Sequence, residues 1–195
     1  MALILGDVDS KSQVVAQCVP QVLHALRLIL SVCAETACAL SQWNRYLCGL
    51  GPPTVSPVVT LSLAVVDVGV GTALCACAGS ETPLILRAGG SVEAVNAGIR
   101  GLGADMEWTC REVDFFLGEG DALLMTTDGL TKAQHVNVSG HPEILSYEGM
   151  TGLALNAFGA GGPPGRMARS VLSGAKAFSG GRFHDDATVL VAIRQ

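Results

Sequence analysis

Lysine and arginine are scarce in this chain and nowhere cluster: 12 basic residues face 17 acidic ones, for a formal net charge of −5. Gripping a phosphate backbone needs a basic stripe, so the composition argues against a nucleic-acid surface. Charged residues make up only 15% of the sequence and aromatics 5%, which argues against a disordered or coiled-coil chain. No CxxC pair occurs among the seven cysteines (Cys18, Cys33, Cys38, Cys48, Cys75, Cys77, Cys110). An odd set of thiols, most of them inside apolar runs, reads as small core residues in a reducing, cytoplasmic setting. The opening Met-Ala-Leu-Ile-Leu lacks the basic start and the length of a signal peptide. The most apolar helical stretch is interrupted by His24, Arg27 and Glu35, so no membrane span is expected either.

What is present is glycine and small apolar side chains, in a length of 195 residues that suits one domain, 1–195, with a sizeable core. The organising stretch is Leu123-Leu124-Met125-Thr126-Thr127-Asp128-Gly129-Leu130-Thr131. An apolar run that turns abruptly polar is the pattern of a buried strand delivering Asp128 to a sheet rim, with Gly129 allowing the turn that follows. Ala2 to Asp7 runs apolar into Asp7 in the same way, and His184-Asp185-Asp186 stands directly before the apolar stretch Ala187 to Ile193. Carboxylates at three strand ends, far apart in sequence, are what an oxygen-only site for a hard divalent cation requires.

In chain order, a first strand over about Ala2 to Val8 leads into the polar elbow Asp9-Ser10-Lys11-Ser12, suited to a helix N-cap. Val15, Cys18, Val19, Val22, Leu23, Leu26, Ile29 and Leu30 recur at helical spacing, and Pro20 either starts that helix or kinks it. A second helix over about Ala34 to Leu47 presents Ala37, Leu40, Trp43, Tyr46 and Leu47 and ends at Gly49, which makes an αα-hairpin covering a sheet. Gly51-Pro52-Pro53 then breaks the pattern. Val58 to Asp67, Thr72 to Ala78, Pro83 to Arg87 and Glu107 to Phe115 read as strands, with a turn at Gly118 to Asp121 before the central one. Gln134 to Gly149 has little periodicity and reads as a surface excursion. Helices over about Met150 to Phe158 and Pro164 to Phe178 precede the last strand.

This order of pieces resembles the metal-dependent serine/threonine protein phosphatase family, in the bacterial branch that includes the stage II sporulation E phosphatase and the phosphatases controlling stress sigma factors. Gly6-Asp7-Val8, Asp128-Gly129 and Asp185-Asp186 look like its three metal motifs. Ala76-Cys77-Ala78-Gly79 before Pro83 to Arg87, and Gly120 to Leu124, resemble its connecting strands. The resemblance implies an α+β fold, an αββα sandwich of two antiparallel sheets flanked by helices. It also implies a two-metal centre of Mn²⁺ or Mg²⁺, in which Asp7 bridges both ions, the Val8 carbonyl ligates one, and Asp128 and Asp185 hold the other. A water activated by the cations would then attack the phosphorus of a phosphoserine in line, with no protein nucleophile. The branch carries a further acidic residue in a strand upstream of the first motif. This chain starts after that point, so the fold is read as lacking the N-terminal strands and one metal position as lacking its ligand. The glycine-rich elbow usual after the first motif is replaced by Asp9-Ser10-Lys11-Ser12, and Gly79-Ser80 stands where relatives often show Gly-His.

Each candidate also has a plainer reading. Asp7 alone is an ordinary turn or helix-entry residue, and Asp186 reads better as a supporting or capping carboxylate than as a ligand. Asp9 is open to three roles: proton donor, metal ligand through water, or helix cap. His184 adjoins the site as a candidate general acid, but a histidine in a polar loop is usually only solvated. Lys11 and Arg182 read as surface charges before phosphate binders, His24 as a helix-face residue, and Cys75 and Cys77 as core packing before nucleophiles. The leading function is hydrolysis of phosphoserine or phosphothreonine on a phosphorylated bacterial regulatory protein. The alternative is a phosphatase-like binding module that has lost its full metal set. A third reading, that the chain is a truncated form, leaves an exposed sheet edge and favours a homodimer.

Overall fold

The computed structural model describes residues 1–9, 13–33, 35–50, 58–97, 100–137 and 139–195, with the backbone alone at 9, 13–19 and 22. Its elements in chain order are β1 (Ala2–Asp9), α1 (Gln13–Val32), α2 (Thr36–Gly49), β2 (Val58–Val66), β3 (Thr72–Ala78), β4 (Leu84–Leu86), β5 (Val92–Ala94), β6 (Glu112–Phe116), β7 (Ala122–Thr126), α3 (Asp128–Thr131), β8 (Gln134–Val136), β9 (Pro142–Ile144), α4 (Ser146–Gly159), α5 (Pro164–Phe178) and β10 (Val189–Ile193). The chain divides into two compact units, Met1–Ser80 with Val95–Phe116, and Glu81–Ala94 with Leu117–Gln195. Each contains an antiparallel sheet with helices packed on it, so the class is the α+β one expected. The elbow Ser10-Lys11-Ser12, the Asp9 side chain and Gly51-Pro52-Pro53 lie outside what is described.

In the first unit the sheet order is β1-β2-β3-β6. β1 lies antiparallel on β2 from Ala2 opposite Val65 to Asp9 opposite Val58. Leu40, Trp43 and Leu47 of α2 and Leu26 of α1 bury completely against Leu61, Leu63, Ala76 and Ala78. That is the face the helical spacing picks out. Leu23, placed on the same face by spacing, is exposed, as is much of Tyr46. Pro20 does not start α1, which runs through it from Gln13. The second helix begins at Thr36, because Glu112 of β6 reaches its first turn: the Thr36 hydroxyl donates to the Glu112 carboxylate at 2.6 Å and the Ala37 N–H at 3.1 Å. A carboxylate there satisfies otherwise unpaired N–H groups and complements the helix dipole.

The strand expected over Glu107 to Phe115 is shorter, Glu112–Phe116. Ahead of it Trp108 turns inward instead, 6% exposed, with its indole N–H donating to the Arg100 carbonyl at 2.9 Å. Burying that ring outweighs extending the alternation.

In the second unit the order is β10-β7-β4-β5. β7 is buried along its whole length, which explains its unbroken apolar run. Leu84, Leu86 and Leu124 pack with Met150 and Ala154 of α4 and with Met167, Val171 and Ala175 of α5. The tight turn before β7 has Gly120 at φ 80°. Asp121 locks it, accepting from the Arg87 guanidinium at 2.8 Å and from the N–H groups of Ala88 at 2.8 Å and Gly118 at 2.9 Å. The stretch read as a surface excursion is largely exposed, and is built as a hairpin of β8 and β9 followed at once by α4. Among the described residues no helix is long and apolar enough to cross a membrane.

Candidate metal centre

Asp128 is set by the end of β7. Thr127 ties that end to the segment entering β10: its N–H donates to the Thr188 carbonyl at 3.1 Å, its hydroxyl donates to the Asp186 carbonyl at 3.0 Å, and the Thr188 N–H donates back to the hydroxyl at 2.9 Å. Gly129 makes the tie possible. A Cβ there would stand 2.9 Å from the Asp186 carbonyl carbon and 3.3 Å from that of Asp185, closer than a methyl can sit. The glycine is therefore needed for close approach of two chain segments, not for the turn assigned to it from sequence; it is not among the residues with positive φ.

The tie leaves Asp128 half-buried and Asp185 exposed, each offering a carboxylate oxygen within 4.8 Å of the other. Lys132, one helical turn on, puts its Nζ 2.6 Å from Asp128 Oδ2. The hydrogen bond to Asp128 is the main influence raising the lysine's pKa; partial burial opposes it, and the charges of Asp128, Asp185 and Glu81 add to it. Glu81 accepts from the Thr131 hydroxyl at 2.6 Å. Asp186 serves through its main chain, its N–H donating to Asp185 Oδ1 at 2.8 Å while its carbonyl takes Thr127. Two carboxylates with oxygens this close offer the hard donors that a divalent cation takes.

In the first unit, Gly6-Asp7-Val8 is the far end of β1, an edge strand. Gly6 is opposite Leu61 and approaches so closely that a Cβ would lie 2.6 Å from the Thr60 carbonyl oxygen. Met1 and Val66 exchange both main-chain hydrogen bonds, and Val59 exchanges its pair with Leu102, away from β1. Antiparallel strands alternate between bonded and non-bonded pairs, so Val8 opposite Val59 is a non-bonded pair. The Val8 carbonyl is thus turned to the open side of β1. Ile4 and Val8 pack toward the helices, which puts the half-buried Asp7 side chain on the opposite face of the strand.

The remaining candidates take plainer places. His184 and Arg182 are exposed, and His184 lines a cleft of about 430 Å³ with Gln134, His135, Val136, Pro142 and Ser179. His24 lies on the exposed side of α1. Cys75 and Cys77 are buried on one strand face with their sulfurs 3.9 Å apart, as core residues. Sequence reasoning missed Thr127, Glu81 and Lys132. The four-residue spacing from Asp128 to Lys132 was a legible signal, whereas nothing in the sequence joins Glu81 to Thr131.

A family model described as stage II sporulation protein E (SpoIIE) matches residues 1–195. The chain belongs to that family. It is the branch that the order of the three aspartate motifs resembles. No curated protein sequence is a significant match. Among solved structures, the RsbU and RsbW domains of Rv1364c from Mycobacterium tuberculosis superpose with a TM-score of 0.80 at 23% identity, over 100% of this chain and 53% of that one. This SpoIIE-family chain therefore spans about half of the mycobacterial structure. The SiaA-PP2C domain of Pseudomonas aeruginosa gives 0.82 at 15% identity, over 100% and 75%. The catalytic domain of the serine/threonine phosphatase PstP, solved with two manganese ions, gives 0.73 at 17%, over 98% and 86%. At these identities the likeness is one of fold.

Proposed function

We propose that this SpoIIE-family chain is a metal-dependent serine/threonine protein phosphatase that removes phosphate from phosphoserine or phosphothreonine on a bacterial regulatory protein in the cytoplasm. The observation that carries the reading is the pair Asp128, just past β7, and Asp185, in the bend ahead of β10, with carboxylate oxygens within 4.8 Å in a chain of this family. Asp7, the Val8 carbonyl, Asp128 and Asp185 are the residues that would hold Mn²⁺ or Mg²⁺. The bound cations would supply Lewis acidity, acidifying water and neutralising phosphoryl oxygens. The chain's own part is to hold the carboxylates still. Thr127 and Gly129 draw Asp128 against the Asp185 segment, and the Asp186 N–H orients one Asp185 oxygen. The PstP structure contains two manganese ions, which supports the same cofactor here.

Purified protein with Mn²⁺ and either p-nitrophenyl phosphate or a phosphoserine peptide should release phosphate, and EDTA should stop it. Asp128→Asn should lower the rate on the order of 100-fold or more by removing a metal-binding charge. Phosphate release that survives Asp128→Ala undiminished would overturn the assignment.

A further inference from the structure

The ammonium group of Lys132 sits on one of the two carboxylate oxygens that Asp128 offers a cation. Asp128 opens the short helix α3, and the Lys132 N–H donates to the Asp128 carbonyl at 2.8 Å, so the lysine's backbone is fixed one turn above the carboxylate. Its Nζ lies 2.6 Å from Asp128 Oδ2. The side chain is 67% exposed and that of Asp128 32%. A pair this open is weak, so the ammonium can swing into solvent at little cost. It is therefore a competitor for the carboxylate and not a lock upon it. When a divalent ion approaches Asp128 and Asp185, the lysine must either leave Oδ2 or stay within a few ångströms of a doubly charged cation, and both options lower the ion's affinity.

We infer that Lys132 is an internal counter-ion that competes with the divalent cation for Asp128 and so sets the metal affinity of the centre. This rests on the metal-centre reading given above. Lys132 stays charged throughout; what changes is which cation neutralises Asp128. The role is one of tuning, since the lysine acts on the metal site through Asp128.

The test is a calorimetric titration of Mn²⁺ into wild type, Lys132→Gln, Lys132→Arg and Asp128→Asn, in low and in high salt, with circular dichroism confirming that each is folded. Lys132→Gln should bind Mn²⁺ about fivefold more tightly than wild type at low ionic strength, the size set by an exposed ion pair. The gain should shrink as salt screens the lysine. Lys132→Arg should stay near wild type. If wild type binds Mn²⁺, Asp128→Asn does not, and Lys132→Gln binds no more tightly than wild type, the counter-ion role is refuted and the centre stands. If folded wild type and Lys132→Gln both fail to take up Mn²⁺, the centre is refuted and the inference with it.

Discussion

A methyl group at position 129 has nowhere to go, because the Asp186 and Asp185 carbonyl carbons already stand 2.9 and 3.3 Å from where it would sit. Backbone atoms cannot yield as a flexible side chain would. Gly129→Ala should therefore cost about 1–3 kcal/mol in urea unfolding. By pushing the β10 segment away it should also weaken Mn²⁺ uptake, which calorimetry would show. Asp121 gives a different kind of local test. Burial alone would raise its pKa, but the Ala88 N–H, the Arg87 guanidinium and the Gly118 N–H outweigh burial and hold it below the usual carboxylate range. A depressed folded-state pKa means that the group's stabilisation is complete above its unfolded value of about 4 and is lost as pH falls through the folded value. Asp121→Asn should flatten the acid limb of the stability curve and cost about 1.5–3 kcal/mol at neutral pH, measured by urea denaturation at a series of pH values. The Gly-Asp turn at 120–121 was legible from sequence; the three donors converging on its carboxylate were not, since Arg87 and Ala88 lie more than thirty residues away.

Among the elements, length helped legibility without deciding it: three-residue β4 lies inside the strand read over Pro83 to Arg87, whereas α4 starts at Ser146, four residues before the helix read from Met150. β3 over Thr72–Ala78 and α5 over Pro164–Phe178 have the bounds read from periodicity, since each is long enough to repeat its pattern several times. β5, β8 and β9 are three residues each and carry too little alternation to be seen. They exist because a neighbouring strand supplies their hydrogen bonds. The start of α2 was misplaced for a related reason: its cap is Glu112, a residue of β6 that no local rule could supply. Glu112→Ala should accordingly destabilise the first unit by about 1 kcal/mol, the usual worth of a helix cap. Trp43→Ala, which empties a fully enclosed site on the same helix, should cost about 3–5 kcal/mol. Thermal melts of the two variants side by side would test that ranking.

At the scale of the whole molecule, the family match extends over residues 1–195. A cation that binds the folded chain and not the unfolded one stabilises it by mass action, by about 2.7 kcal/mol at a hundred times its Kd. Mn²⁺ should therefore raise the melting temperature of EDTA-treated protein and leave that of Asp128→Asn unmoved, as differential scanning calorimetry would show. By itself the sequence determined the class of fold and the family, because those properties are written in short apolar runs and their order; the last strand, read from Ala187, starts at Val189, which leaves Asp185 in a bend ahead of it. Only the tertiary structure decided that Gly129 is there to let two segments touch, that Asp185 lies beside Asp128, and that Glu81 accepts from Thr131. Those facts depend on which distant backbones pack together, and a pattern read along one chain does not contain that information.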